Sequence, residues 1–243
     1  MLDIATADGI ADAYLALPEN ELRGGVLFFV DVFGLRKRTK EMARRMAAEG
    51  YAVLVPNVFF RAGRAPVAKM PSSTSGKARE EFMDTMRPLM GELTAAAMAR
   101  DGAAYLEQLA ETVPGPFGIT GYCMGGRLGW RVAAAFPERI SSLGCFHTGG
   151  LVTEDEDSPH LSAGELDTEL YFGFADEDAS MTPEQIAELE RSLEEAGASY
   201  RAEVYAGARH GFTMSDTAAF DEAACERHFR ELFALLDRSL VFD

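Results

Sequence analysis

Gly121-Tyr122-Cys123-Met124-Gly125-Gly126 is the stretch on which the fold turns. Ahead of it lies an apolar, strand-like run, Phe117-Gly118-Ile119-Thr120; behind it an apolar pattern covers residues 128–136 and stops at Pro137. A strand, a residue flanked by small neighbours and a helix together make a nucleophile elbow. The turn is too tight for side chains on either side of the nucleophile, and its backbone is strained, so small residues belong around it. The occupant is cysteine, which makes the attacking group a thiolate rather than an alkoxide. Taken without partners, Gly-x-Cys-x-Gly reads equally well as a glycine-rich turn around a buried thiol, because free cysteine packs as a small hydrophobe. A base and an acid in suitable places decide between the two.

Moving outward, residues 13–17 alternate weakly and read as an edge strand. Residues 25–32 (Gly-Val-Leu-Phe-Phe-Val-Asp-Val) form a short β-branched and aromatic run closed by Gly34, and residues 51–55 another stopped by Pro56; both read as buried strands. Residues 39–48 have helical spacing and end at Gly50. Residues 57–78 are the one long irregular stretch, rich in Pro, Gly and Ser, and long loops of this kind are commonly functional. Helices are expected over 79–90 and 92–111, strands over 140–146, 169–175 and 200–205, and a last helix over 221–240. Thr182-Pro183-Glu184 opens a further helix that closes at Gly197. This alternation calls for a mainly parallel central sheet with helices on both faces. No repeat or linker divides the chain, so residues 1–243 read as a single domain.

The chain has 243 residues, of which 47% are hydrophobic, enough for one α/β core. The formal net charge of −16, from 39 acidic and 23 basic residues, argues against nucleic-acid binding. The short acidic run Glu154-Asp155-Glu156-Asp157 reads as a hydrated loop. No segment resembles a secretory signal or is long enough to span a membrane. Cys123, Cys145 and Cys225 are odd in number and far apart, which suits neither a disulfide framework nor a metal site. A reducing cytoplasm is the expected location.

In a parallel sheet the working residues gather beyond the carboxyl ends of strands. Cys123 lies there. So does His210, between small residues in Gly207-Ala208-Arg209-His210-Gly211-Phe212, placed to act as general base. His147 follows another strand and is a second histidine able to approach; His160 and His228 read as surface or packing residues. Asp176-Glu177-Asp178 ends a third strand, and a carboxylate there would orient the imidazole. Asp178 is preferred over Asp176, being the one past the turn if the strand runs through Ala175. The oxyanion donors expected are the amide of Met124, which starts a helix, and the amide of Val32, with Phe33 next. Asp31, at the same strand end as Val32, is expected close to the thiol. It would raise the thiol's proton affinity if unpaired, or serve as a structural carboxylate held by backbone amides.

With these residues in hand, the chain resembles the dienelactone hydrolase family. The resemblance runs over nearly its whole length and includes Asp31-Val32-Phe33-Gly34, Gly50-Tyr51-Ala52-Val53-Leu54-Val55-Pro56-Asn57 and the segment from Glu203-Val204-Tyr205 to Phe212. It implies an α/β-hydrolase fold, whose chain order of nucleophile, acid and histidine this sequence follows. It also implies a Cys123–Asp178–His210 triad, no metal or organic cofactor, and hydrolysis of a small ester or lactone through an acyl-thioester. Two departures bear on the substrate. Members of the family carry glutamate where this chain has Asp31. They also carry an arginine shortly after the histidine to hold a substrate carboxylate, where this chain reads Thr213-Met214-Ser215-Asp216. The remaining basic candidates are Arg36, Arg61, Arg64 and Arg79. The expected partner is thus a small-molecule ester or lactone, with no nucleic acid and no membrane, and the chain a monomer or small homo-oligomer. The competing readings are a non-catalytic binding protein of the same fold and a redox-sensing thiol protein.

Overall fold

The computed structural model describes residues 1–74 and 76–240. Its strands are β1 (Leu2–Thr6), β2 (Gly9–Ala16), β3 (Gly24–Phe29), β4 (Tyr51–Pro56), β5 (Phe117–Tyr122), β6 (Ile140–Phe146), β7 (Glu169–Glu177) and β8 (Tyr200–Arg209). The α-helices are α1 (Lys37–Ala48), α2 (Gly76–Gly91), α3 (Ala95–Ala110), α4 (Met124–Ala135), α5 (Pro183–Ala196) and α6 (Glu222–Ser239). All eight strands join one sheet in the order β1-β2-β4-β3-β5-β6-β7-β8. The β1–β2 and β2–β4 pairs are antiparallel and every other pair is parallel, the mainly parallel sheet expected.

β3, β4 and β5 are buried at all six of their positions, which is why they read as continuous apolar runs rather than as alternations. Two glycine positions show that layers cover both faces. A side chain on Gly118 would run into Leu236 of α6, while Ile119 packs against Gly129 of α4. Successive strand residues point to opposite faces, so α6 and α4 lie on opposite sides of the sheet. α3 joins the α4 layer, with Gly102 admitting Val132 so closely that a Cβ would stand 2.8 Å from it. α1 joins the α6 layer, tied by the Arg45–Glu226 ion pair. Among the described residues no helix is long and apolar enough to cross a membrane.

Several boundaries differ from the sequence reading. β2 is not an edge strand: β1 covers it, and β1 leaves no pattern in the sequence because it buries only Ile4, exposes Asp3 and Ala5 and half-buries its two ends. β3 ends at Phe29, before residues 30–32, which leaves Asp31 and Val32 in the following turn. β7 extends to Glu177 and ends immediately before Asp178. The irregular stretch holds one short 3-10 turn, Phe60–Ala62, and α2 begins inside it at Gly76. α5 opens on Thr182, which accepts from the Gln185 amide while the Gln185 side chain returns the bond, and closes on Gly197 in the left-handed conformation.

Candidate active site

Cys123 lies between β5 and α4 and caps the helix with φ 56° and ψ −121°. A non-glycine residue seldom enters this region, and it stays there only when its surroundings enforce it. The surroundings are glycines. A Cβ on Gly121 would stand 2.3 Å from the Gly125 carbonyl oxygen, one on Gly125 2.4 Å from that of Phe29, and one on Gly126 2.0 Å from Thr148 Oγ1. The first turn of α4 is therefore in backbone contact with β5 and with the end of β3. The Cys123 amide donates to the Phe146 carbonyl at 3.1 Å. Cys145 and Cys225 are buried; Cys123 is partly exposed.

His210 follows β8, and Asp178 follows β7. His210 Nδ1 lies 2.6 Å from Asp178 Oδ2 and 3.2 Å from Ser180 Oγ. The aspartate is itself held, its Oδ1 accepting from the Ser180 amide at 2.8 Å and hydroxyl at 2.6 Å. With Nδ1 engaged, Nε2 is the nitrogen left for chemistry. Burial disfavours a charged imidazole, but the Cys123 sulfur and the Asp178 carboxylate outweigh it and lift His210 to about 10. Burial likewise opposes ionisation of Asp178, and its bonds from His210 and Ser180 prevail, holding it below the usual aspartate value. Asp176 points elsewhere: it is exposed and accepts from the Gly207 amide at 2.8 Å.

Asp31 lines the same cavity as Cys123, yet its carboxylate is fully engaged. Arg36 reaches both oxygens, at 2.6 and 3.0 Å, and the Phe33 amide donates to Oδ1 at 3.1 Å. Asp216 holds the other side of the same guanidinium. Burial pushes Asp31 upward and Arg36 counteracts it. Asp31 is thus a paired structural carboxylate, held chiefly by an arginine rather than by amides alone. The Phe33 amide is spent on it. Val32 and Met124 line the cavity beside Cys123.

The cavity has a volume of about 600 Å³ and collects Asp31, Val32, Cys123, Met124, Asp178 and His210 from four chain segments. α2 contributes Met83 and Met90, and the stretch before it Thr74. Of the arginines singled out from the sequence, Arg36 is occupied as described, Arg61 binds Asp101 and Asp8, and Arg64 binds Asp3. Arg79 is exposed at the cavity mouth. Two residues that no sequence signal marked for the cavity also line it. Ser180 braces the Asp178–His210 pair, and Arg127 sits four residues after the nucleophile on α4. Only that helical spacing from Cys123 hinted at Arg127.

His147 is fully buried and lines the cavity at φ 39°, its ring 5.3 Å from that of His210 and edge-to-face with it. Its Nε2 pairs with Thr213 Oγ1 at 2.8 Å. Burial, reinforced by His210, holds it well below the usual histidine range. His228 and His160 are packing residues, bonded to Tyr122 and Ser158 at 2.8 Å each. Among the described residues no group of three or more His, Cys, Asp or Glu is arranged to hold a metal ion.

Comparison with known proteins identifies the family and the fold. The model of the dienelactone hydrolase family matches residues 11–240. A relative assigned as a carboxymethylenebutenolidase in Escherichia coli is 25% identical over 205 residues, covering 83% of this chain and 72% of the relative. Among solved structures, one assigned as a dienelactone hydrolase from Klebsiella pneumoniae superposes with a TM-score of 0.82 at 21% identity, covering 97% of this chain and 96% of the other. A dienelactone hydrolase-like promiscuous phosphotriesterase from metagenomic libraries gives 0.78 at 19% identity, covering 99% and 98%. At these identities the structural matches speak to the fold, which is that of the α/β-hydrolases.

Proposed function

The chain belongs to the dienelactone hydrolase family, and from that premise we propose that it hydrolyses small esters or lactones through an acyl-thioester on Cys123. The observation carrying this reading is the chain of contacts at the cavity wall. Asp178 binds His210 at 2.6 Å, and the Cys123 sulfur lies near enough to His210 to raise its proton affinity.

In this mechanism His210 Nε2 takes the thiol proton and the sulfur attacks the carbonyl carbon. Charge moves to the carbonyl oxygen, for which the cavity-lining Met124 and Val32 supply the proposed amide donors; each such donor contributes about 3 kcal/mol where it has been measured. The tetrahedral species collapses, the C–O bond breaks, and His210 returns its proton to the departing alkoxide. Water then gives a proton to His210 and its oxygen to the acyl carbon, which releases the acid and restores the thiol. Asp178 keeps the ring oriented and stabilises the imidazolium without itself taking the proton. The location of Cys123 at the start of α4 favours this chemistry, because a helix N-terminus stabilises negative charge.

The test is turnover of p-nitrophenyl acetate, with mass spectrometry of acid-quenched enzyme. Wild type should gain one acetyl group on Cys123, and Cys123→Ala should lose activity by about a thousandfold or more. Unchanged turnover in Cys123→Ala would defeat the reading.

A further inference from the structure

Two non-glycine residues among those described have a positive φ, Cys123 at 56° and His147 at 39°. The first is the elbow. The second follows β6, the strand beside the elbow strand, and the acyl-transfer chemistry gives it no part. Backbone strain of this kind persists only where the surroundings enforce it, and it gathers at active sites. The backbone at His147 is enforced from both neighbouring strands. Its amide donates to the Gly173 carbonyl of β7 at 2.8 Å, and the carbonyl just before it, that of Phe146, accepts from the Cys123 amide at 3.1 Å.

The sheet order makes a demand on the base. β5, β6, β7 and β8 are neighbours in that order, and each ends one residue before Cys123, His147, Asp178 and His210 respectively. Strands lie about 4.8 Å apart, so β8, which delivers His210, is about 14 Å from β5, which delivers Cys123. The imidazole has to reach back across the ends of β7 and β6. At the end of β7, Asp178 holds its Nδ1. At the end of β6 stands the ring of His147, 5.3 Å from the His210 ring and edge-to-face with it at 66°. The same ring packs on Phe212 at 5.0 Å and 79°, and its Nε2 meets Thr213 Oγ1 at 2.8 Å. His147 therefore contacts three of the four residues from His210 to Thr213; the other, Gly211, turns the chain at φ 94°. Arg38 of α1 fixes the far side of this turn, donating to the Thr213 carbonyl at 2.5 and 3.2 Å.

We infer that His147 is a positioning residue for the general base: it backs the His210 ring at the end of β6 and, through Thr213, sets how far the His210 turn reaches toward Cys123. The inference rests on the hydrolase reading above and adds a residue to its machinery. Three requirements select histidine. Among non-glycine residues, a backbone at positive φ favours Asn, Asp and His. Of these, only the imidazole is long enough to bring a nitrogen to Thr213 and broad enough to pack against both His210 and Phe212. The third requirement is neutrality, because His210 becomes imidazolium in both half-reactions and a second cation against it would oppose that charge. His147 meets it: it is fully buried, and its Nδ1 has no hydrogen-bond partner among the described residues.

The experiment breaks the bond between His147 and Thr213 from either end. His147→Asn suits the backbone but stops short of Thr213, while Thr213→Val keeps the shape of the threonine and removes its hydroxyl. In each, the pre-steady-state rate of Cys123 acylation by p-nitrophenyl acetate should fall by about tenfold or more, with the apparent Kd of the ester within about twofold of wild type, because the base is misplaced and the cavity is not. Alkylation of Cys123 by iodoacetamide reads the same imidazole without an ester and should slow in parallel. The double variant should be no slower than His147→Asn, since both changes remove one bond. Acylation and alkylation rates within about twofold of wild type in either variant, with native circular dichroism, would overturn the inference, and so would losses that multiply in the double variant. Should His147→Asn fail to fold, Thr213→Val decides by the same two rates. Alkylation slowed in both variants of a protein whose wild type turns over no ester would instead defeat the hydrolase reading and leave the placement of His210 by His147 standing.

Discussion

The 2.6 Å contact from His210 Nδ1 to Asp178 Oδ2 separates two aspartates only two positions apart. Asp178→Asn keeps the shape but presents an amide to the ring, which should cost on the order of a hundredfold in kcat or more, and His210→Ala should cost more still, because the base itself is lost. Asp176 binds only the Gly207 amide at the surface, so Asp176→Asn should leave the rate near that of wild type. Steady-state kinetics of the three variants decides, and the opposite ranking of the aspartates would move the acid to Asp176. A second consequence concerns pH. His210 is raised from 6.5 to about 10 by Cys123 and Asp178 against the opposing effect of burial. A group with a raised folded-state value contributes stability that is complete below its unfolded value and lost as pH climbs through the folded one. The stability advantage of wild type over His210→Gln should therefore be largest below pH 6.5 and shrink toward pH 10. In Cys123→Ala, which removes one of the two supporting groups, the His210 titration followed by NMR should move to lower pH. An unmoved midpoint would show that the sulfur does not act on the ring.

The elbow is specified by backbone packing. Gly121 and Gly125 meet carbonyl oxygens, at 2.3 and 2.4 Å from a would-be Cβ, and backbone cannot move aside as a side-chain tip can. Gly121→Ala and Gly125→Ala are expected to destabilise by more than about 4 kcal/mol or to prevent folding. Gly197→Ala removes a helix-terminating glycine at φ 68° with nothing within 4 Å of its Cβ and should cost only about 1 kcal/mol. Chemical denaturation of all three checks this; comparable losses would mean that the elbow tolerates a methyl group. The same contrast explains what was legible beforehand. Elements whose burial shows in composition, such as β3, β4 and the capped α5, were readable because core position and turn chemistry each leave a local pattern. β1 was not, since it buries one residue and is held by its ladder with β2. Cys123, Asp178 and His210 were readable as residues at strand ends. Arg127 and Ser180 were barely so, because lining a shared cavity is a property of three dimensions. Arg36 failed as a substrate-binding candidate for the same reason: nothing in the order of residues says that Asp31 and Asp216 close on it from both sides.

At the scale of the whole molecule the excess of acid dominates. Most arginines of the described residues are already paired with carboxylates, so the net charge of −16 is left on acidic groups without a cation. Salt acts on the two populations in opposite directions. It weakens exposed ion pairs, each worth about 0–1 kcal/mol, and it screens repulsion among the surplus carboxylates, which grows with net charge and is relieved by unfolding. With so large an imbalance the second effect should prevail at neutral pH. Raising ionic strength from about 0.01 to 0.1 M, which shortens the screening length from about 30 to 10 Å, should raise Tm. A gain of 1 kcal/mol appears as about 2–4 °C in a chain of this size. Repeating the calorimetric scans near pH 4.7, where the net charge vanishes, should abolish the increase, since no surplus remains to be screened and only the loss of ion pairs is left. A Tm that falls with salt at neutral pH would mean that the ion pairs, rather than the uncompensated carboxylates, set the electrostatic stability of the fold.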